Sequence, residues 1–381
     1  MIAQGVISHE AVTFDDLKPL ATASGPCITM TVPLPNPAEI DARLTNAIRT
    51  TQKKLAERGI DATSSASLMA PIQELAATAE KYRVWGRGII LFRSPELFQY
   101  YMLRGPVQGV QTVGDHFQVR PLLAAMTHEM RFHLLGLSRR HVRLFACTQF
   151  RAEQEAAHLP QNLDTWLNTR QPDHVLDNRA VAGPSSGKKK GIMFGTSRDR
   201  ERDPEYVTHF LTAVEKGVTA HLHNDPAPLV LAGVEYELAI YRRLNRYQRT
   251  LEQPVHGSPD GLTDQDLHER AMQVVLQYPS EPLQKALADI REHAGTSRVA
   301  TDAPTAIQAA RLGRVLDFLI AENAECWGTW NAETQEVTTG SKQEELLNAA
   351  ALQTLRHGGR AFVVKASDMP VPAEVAAFLR F

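Results

Sequence analysis

The sequence predicts a multidomain protein of mixed α/β and α+β class. Its 381 residues correspond to two or three domains at roughly 150 residues per domain. Hydrophobic residues make up 43% and charged residues 22%, which is the usage of globular proteins and not of disordered or fibrous chains. Short apolar runs alternate with stretches of helical periodicity from one end to the other. We therefore expect several sheets with packed helices.

Residues 1–130 are predicted to form an N-terminal α+β domain. An apolar run at Cys27–Val32 stops at a cluster of prolines, as a strand would. Apolar positions then recur at helical spacing until Gly59, which follows the last turn as a cap. The further predicted elements are a helix over Ser65–Tyr82, strands at Gly88–Phe92 and Phe98–Leu103, and a short helix at Pro121–Met126.

Residues 131–260 are predicted to form a central α/β domain. Two apolar runs, Phe132–Leu137 and Val142–Cys147, indicate a hairpin. Residues 181–204 have no sustained periodicity and indicate a long loop, whereas Pro204 opens an amphipathic helix that leads to a buried strand at Pro228–Gly233. The turn-forming residues of Pro254–Gly261 are typical of a linker.

Residues 261–381 are predicted to form a C-terminal α/β/α sandwich, because helices and strands alternate there. A helix–strand pair is expected to close the chain at Glu374–Phe381. The earlier predicted helices are Asp264–Gln277, Pro282–His293, Thr305–Leu312 and Glu344–His357, and the strands are Val315–Ile320, Cys326–Trp330 and Ala361–Val364.

Composition excludes several functional classes. The formal net charge of −2 means that any nucleic-acid contact must come from a local patch. The three scattered cysteines favour free thiols in a reducing compartment over disulfides or a zinc ribbon. No leader-like start and no long apolar run is present, so we expect a cytoplasmic protein without a membrane partner.

The motifs that could carry metal or nucleotide chemistry depart from the required patterns. His128, Glu129 and His133 place the two histidines five residues apart, whereas the zinc-protease motif needs four; His221 and His223 fit a solvated helix end better than a metal site. Residues 183–188 resemble a P-loop with one residue too few, and they place Ser185 in a Gly-x-Ser-x-Gly match without strand–turn–helix context. We therefore predict no metal, no cofactor and no catalytic residue.

The loop of residues 181–204 is basic and rich in glycine. Lysine and arginine neutralise phosphates, and glycines let a backbone approach its partner closely. The candidate RNA-binding residues are Lys188, Lys189, Lys190, Arg198, Arg200 and Arg202, and the loop glycines are Gly183, Gly187, Gly191 and Gly195. A solvated loop whose charges only prevent aggregation is the alternative interpretation.

The order of elements from residue 131 onward resembles the archaeo-eukaryotic peptide chain release factors and Pelota. In that family a hairpin and a loop precede a long helix and a strand close to the Leu229–Gly233 sequence Leu-Val-Leu-Ala-Gly. Residues 310–320 and 346–364 resemble the family's C-terminal domain, which has the fold of kink-turn-binding ribosomal proteins. The whole chain most resembles the bacterial branch of the superfamily.

The resemblance implies a ribosome partner but carries over no catalytic residue. Release factors hold a Gly-Gly-Gln on the central loop, and no glutamine lies between Gln171 and Glu205 here. An Asn-Ile-Lys-Ser stretch for reading stop codons is missing as well. We therefore expect a non-catalytic ribosome-binding factor in rescue, hibernation or stress protection, with ribosomal RNA and a translational GTPase as partners and no DNA. The alternatives are peptidyl-tRNA hydrolysis by an altered loop, and a stress protein that makes protein contacts only.

Overall fold

The computed structural model describes residues 12–34, 39–77, 88–103, 108–128, 131–170, 204–341 and 343–381. The chain forms two compact units. Unit 1 combines residues 1–130 with 278–381, and unit 2 contains residues 131–277. Four sheets with packed helices confirm the mixed α/β multidomain class. The division at 1–130, 131–260 and 261–381 stays a prediction.

The N-terminal part of unit 1 is built on a four-stranded sheet in the order β3-β2-β1-β4. The run that was predicted to end at the prolines forms β1, which pairs antiparallel with both β2 and β4. The elements are the 3-10 turn Asp15–Leu17, the helices α1 (Lys18–Thr22), α2 (Ile40–Glu57), α3 (Ala62–Ala77) and α4 (Arg120–Ala125), and the strands β1 (Cys27–Pro33), β2 (Gly88–Arg93), β3 (Phe98–Leu103) and β4 (Val110–Gly114).

Unit 2 is built on a five-stranded sheet in the order β7-β6-β5-β8-β9. The predicted hairpin is present as the antiparallel pair β5 and β6, and β5 and β8 are parallel neighbours. The strands are β5 (Arg131–Leu137), β6 (Arg143–Thr148), β7 (Ala152–Gln154), β8 (Leu229–Gly233) and β9 (Val255–His256), and the helices are α5 (Leu163–Arg170), α6 (Pro204–His221), α7 (Glu235–Leu244) and α8 (Asp264–Val275).

The segment Pro254–Gly261, expected to be a linker, is fixed to the sheet of unit 2. Its residue Val255 lies in β9 and pairs with Ala232 of β8. The hydroxyl of Ser138 donates to Asp260 Oδ2 at 2.8 Å, and Arg143 Nη2 donates to the carbonyl of Pro259 at 2.7 Å. Turn-forming residues indicate that the chain turns here, but they do not distinguish a linker without contacts from a segment that is hydrogen-bonded to a sheet.

The C-terminal part of unit 1 has a four-stranded sheet in the order β10-β16-β11-β15 and a three-stranded sheet in the order β13-β12-β14. Instead of a helix, a 3-10 turn at Ala366–Asp368 precedes the last strand. The helices are α9 (Glu281–Glu292), α10 (Ala303–Arg311) and α11 (Leu346–Arg356), and the strands are β10 (Val299–Ala300), β11 (Val315–Ala321), β12 (Trp327–Asn331), β13 (Glu336–Thr339), β14 (Glu344–Glu345), β15 (Arg360–Val364) and β16 (Val375–Leu379).

The four-stranded sheet lies between two helical layers. Because side chains alternate along a strand, Phe318 and Ile320 of β11 face a core shared with α10 and α11, whereas Leu319 faces α9. The first core extends into the N-terminal part of unit 1. There the buried side chain of Asn348 donates to the carbonyl of Phe117 and accepts from the N–H of Val119. The described N-terminal and C-terminal parts of unit 1 therefore share one core.

The described residues contain no helix that is long and apolar enough to cross a membrane. Cys27, Cys147 and Cys326 are free thiols, as the scattered positions predicted. Burial raises the pKa of the Cys27 thiol to about 11, and the charge of Asp115 adds to that effect. Cys27 is therefore a protonated core residue at neutral pH.

Candidate functional site

The predicted RNA-binding loop is flanked by two helices of unit 2 that pack against each other. Helix α5 ends at Arg170 and helix α6 begins at Pro204. The rings of Trp166 and Phe210 meet edge to face, with 5.9 Å between their centroids. The residues on either side of segment 171–203 are thus held on neighbouring helices.

Helix α6 is fixed along its length because one face is apolar. The predicted stripe is fully buried: Val207, Phe210, Leu211, Val214 and Val218 are at most 1% exposed. A buried carboxylate, Glu215, lies among them and accepts from Thr219 Oγ1 at 2.8 Å and from the N–H of Arg246 at 3.1 Å. This side chain ties the helix to the turn after α7.

The residues predicted to contact RNA lie outside the described residues. This applies to Lys188, Lys189, Lys190, Arg198, Arg200 and Arg202, to the glycines Gly183, Gly187, Gly191 and Gly195, and to Ser185. The role of these residues in RNA binding stays a proposal.

A cluster of two histidines and two carboxylates lies near the amino end of β5. In this histidine–carboxylate cluster, His133 is 3% exposed and lies between Glu155 and Asp225. Its Nδ1 is 3.4 Å from Glu155 Oε1, and its Nε2 is 3.2 Å from Asp225 Oδ2. Neither ring nitrogen makes a well-directed hydrogen bond, so the attraction is mainly electrostatic.

Two further contacts complete the histidine–carboxylate cluster. His221, at the end of α6, places its Nε2 2.6 Å from Glu155 Oε2. Arg131 Nη2 donates to Asp225 Oδ2 at 2.9 Å. Glu155 therefore joins β5 to the end of α6, and Asp225 joins β5 to the loop that precedes β8.

The charges of the cluster lower the pKa of both carboxyl groups. Burial alone would raise the pKa of Glu155, but its close contacts with the His133 and His221 rings outweigh burial and hold this pKa below its ordinary value. Burial also opposes ionisation of Asp225, whose pKa is lowered by the N–H of Ala227 and by His133 and Arg131. Both groups are carboxylates at neutral pH.

Sequence reasoning missed this cluster. His221 is exposed at the end of α6, as predicted, but its spacing gave no sign of its partner Glu155, which lies 66 residues away. His128 does not share a site with His133, because it lies in unit 1. There its Nδ1 is 3.4 Å from the carbonyl oxygen of Tyr278. Glu129 lies outside the described residues. No local spacing reports such a long-range pair.

Replacing His221 with glutamine is expected to lower the free energy of unfolding above about pH 5, and the difference from the wild type is expected to fade as the pH falls below the ordinary pKa of a glutamic acid. The folded-state pKa of Glu155 lies below its unfolded value of about 4.3. Its stabilisation is therefore complete above that unfolded value and is lost as the pH falls through the folded one. Urea denaturation at several pH values measures the difference.

The matched control for this prediction is His223→Gln. His223 is exposed and lies two residues from His221. We expect this variant to follow the wild type at every pH. A His221→Gln defect that widens on acidification would contradict the role assigned to Glu155.

Among the residues that the structure describes, no three His, Cys, Asp or Glu side chains come together in an arrangement that could hold a metal ion. The histidine–carboxylate cluster instead forms ion pairs within the protein. These ion pairs hold β5, α6 and the loop before β8 in fixed positions relative to one another. The cluster is thus a support for the helix that follows segment 171–203.

Solved structures similar to this chain include translation factors. An archaeal translation termination factor, aRF1, is 13% identical, with 96% of each chain covered and a TM-score of 0.23. Archaeoglobus fulgidus Pelota is 11% identical, with 97% of this chain and 92% of that chain covered and a TM-score of 0.34. S. cerevisiae Dom34 is 9% identical, with 73% and 75% covered and a TM-score of 0.34. No curated protein sequence matches the chain.

The sequence of the middle of the chain also matches a known family. Residues 131–314 match the profile of a family described as bacterial archaeo-eukaryotic release factor family 3. The match begins with β5 and includes the hairpin, α6 and β8, the elements that carried the resemblance. Residues 131–314 are therefore similar to the bacterial archaeo-eukaryotic release factors, in the group described as family 3.

Proposed function

We propose that this protein is a ribosome-associated, release-factor-like factor that does not hydrolyse peptidyl-tRNA. The observation that carries the proposal is the family match over residues 131–314, in a chain whose central segment has no Gly-Gly-Gln. Its role is then to occupy or rescue ribosomes, for example in hibernation or stress.

The missing glutamine matters because hydrolysis of the ester needs a donor aimed at the developing oxyanion. In Gly-Gly-Gln the glutamine N–H supplies that donor, and the glycines give it access to a crowded site. Segment 172–203 of this chain contains no glutamine, and its glycines are isolated from one another. The segment therefore has the residues for close approach and charge neutralisation but not those for release.

The surroundings of the segment support its use as a contact element. The helices α5 and α6 that flank it are packed together through Trp166 and Phe210. The far end of α6 is fixed by the contact between His221 and Glu155. A basic segment that begins and ends on a rigid base loses less conformational freedom on binding RNA than one with loose ends. Its lysines and arginines are proposed to contact ribosomal RNA.

The C-terminal part of unit 1 is proposed to be the kink-turn-binding ribosomal protein type of domain and to dock a translational GTPase. The sheet β10-β16-β11-β15, with helices on both faces, has the layering that such a domain requires. S. cerevisiae Dom34 is described as interacting with Hbs1. A partner of this kind is the proposal for the present chain.

The function is tested by sedimentation of the protein with 70S ribosomes, followed by an assay of peptidyl-tRNA hydrolysis on loaded ribosomes. We expect cosedimentation that weakens as salt rises, and no release of the peptide. Release of the peptide would instead make the protein a hydrolase with an altered loop. No cosedimentation at low salt would contradict the proposal and favour a protein that makes protein contacts only.

A further inference from the structure

A basic and aromatic surface lies at one end of the four-stranded sheet in the C-terminal part of unit 1. We call it the arginine–phenylalanine surface, and it consists of Arg298, Arg314, His357, Arg380 and Phe381. It lies where β11 begins and β16 ends. Arg314, His357, Arg380 and Phe381 are exposed, and Phe381 is 76% exposed, the highest value among the large apolar side chains of the described residues.

Hydrogen bonds show that these residues are contiguous. The N–H of Arg380 donates to the carbonyl of Arg314 at 2.9 Å, and Arg380 Nη2 donates to the carbonyl of His357 at 2.7 Å. The N–H of Leu379 donates to the carbonyl of Arg298 at 2.8 Å. The residues come from four separate stretches of the chain, so folding assembles the surface.

His357 packs closely on the backbone of Gly313. A Cβ at Gly313 would lie 2.7 Å from His357 Cδ2, and the glycine has φ +70°, a conformation that side chains disfavour. Glycine at this position therefore allows the chain to turn beneath the imidazole. The turn sets Arg314 at the start of β11.

The arginines of the surface are oriented by groups other than carboxylates. Arg298 Cζ lies 4.5 Å from the centroid of the Phe378 ring, and Arg314 Cζ lies 5.7 Å from that of Phe381. Arg380 Nε donates to the carbonyl of Val315 at 3.2 Å. These contacts restrict the guanidinium groups without neutralising their charge.

Nearby arginines differ, because Arg360 is paired with Asp317 and Arg311 with Glu344. In the described part of the chain, no Asp or Glu oxygen lies within 4.0 Å of the guanidinium nitrogens of Arg298, Arg314 or Arg380. Among the described residues, these three guanidinium groups therefore have no Asp or Glu partner, in a protein whose net charge is −2. Such a local excess is complementary to a polyanion.

We propose that the arginine–phenylalanine surface binds single-stranded RNA. The arginines would contact phosphates, and the exposed ring of Phe381 would stack on a base. Phosphates and bases alternate along single-stranded RNA, so the guanidinium groups and the exposed ring could be used at the same time. This site goes beyond the proposed function, because it is separate in sequence from the basic segment 181–204.

The first test measures binding of a fluorescently labelled single-stranded RNA oligonucleotide of mixed sequence across a range of salt concentrations. The full chain carries Lys188→Ala, Lys189→Ala and Lys190→Ala, so that the central segment contributes less. In this background, Arg298→Gln with Arg314→Gln is expected to flatten the slope of log K against log salt by about 1.4, which is about 0.7 for each lost phosphate contact.

The matched control is Arg49→Gln with Arg243→Gln in the same background. Both residues are exposed and lie outside the surface, and the change in net charge is the same. We expect the control to bind RNA with an unchanged slope. Equal slopes for the two double variants would overturn the proposal, whatever the outcome of the ribosome experiment.

The second test is Phe381→Ala, which removes the ring and leaves every charge. Because stacking is not electrostatic, we expect affinity to fall about tenfold with no change in the salt slope. Because Phe381 is exposed, we expect the variant to fold like the wild type, and circular dichroism checks this expectation. Two results together would overturn the assignment to RNA and indicate an acidic protein partner. They are an unchanged RNA affinity of Phe381→Ala, and displacement of the labelled RNA by polyglutamate as effectively as by unlabelled RNA.

Discussion

Replacing Arg360 with methionine is expected to lower the free energy of unfolding by about 3–5 kcal/mol. Asp317 is 0% exposed, and its two oxygens accept from Arg360 Nε at 2.6 Å and from Nη2 at 2.9 Å. The two residues are direct neighbours on the parallel strands β11 and β15. Without the guanidinium, a carboxylate would remain buried with no counter-charge, which is the costly state of a broken ion pair. Chemical denaturation measures the loss.

Two controls separate this effect from a general loss of charge. Asp317→Val combined with Arg360→Met removes both charges, and we expect it to recover most of the stability, since an apolar pair can replace a buried ion pair. Arg43→Met removes a partner of Glu39 whose side chain is 48% exposed, and we expect a change below about 1 kcal/mol. If the double variant is no more stable than Arg360→Met, the burial of Asp317 is not the cause.

Elements with a strong local pattern could be predicted from the sequence. The stripe from Val207 to Val218 repeats at helical spacing, and all of its apolar members are buried in α6. The run ending at the proline cluster is β1, and the run Leu229–Gly233 is β8. Each of these depends on residues within a few positions of one another. Periodicity therefore contained the information that was needed.

Features that depend on distant residues could not be predicted. The position of His221 beside Glu155 and the two hydrogen bonds of Asn348 join parts of the chain that are far apart in sequence. The expected helix before the last strand is wrong for a related reason. The chain needs only the 3-10 turn Ala366–Asp368 to reverse, and the apolar run Val375–Leu379 pairs with β10 and β11. Pairing with the neighbouring strands, and not local helix propensity, therefore determines the secondary structure of this last segment.

The arginine–phenylalanine surface illustrates the same limit for function. Its residues are single arginines and one phenylalanine, scattered from Arg298 to Phe381. No motif marks them, whereas Lys188, Lys189 and Lys190 are consecutive and visible at once. The structure shows their assembly through the backbone hydrogen bonds of β16. Local sequence thus identified one candidate contact with RNA, and the fold identified the other.

Replacing Lys188, Lys189 and Lys190 with alanine is expected to weaken ribosome binding about 50-fold at roughly 0.15 M salt. Each contact between a lysine and a phosphate on single-stranded RNA contributes about 0.7 to the slope of log K against log salt, so three lost contacts flatten it by about 2. Sedimentation or fluorescence binding across a salt series measures both quantities. We expect the free energy of unfolding to stay unchanged, since lysines of a predicted solvated loop contribute little to stability.

The control for the lysine variant carries alanine at Arg49, Lys53 and Arg243. These three residues are exposed and lie far in sequence from residues 181–204. The control alters the net charge by the same amount, so an equal loss of binding would mean that overall charge, and not the segment, drives association. Peptide release should be absent in the wild type and in both variants, because the glutamine is missing in all three. Ribosome binding by the wild type that does not respond to salt would contradict the electrostatic basis of the proposal. A loss confined to the lysine variant, with a flatter slope, would identify the central segment as the contact with ribosomal RNA.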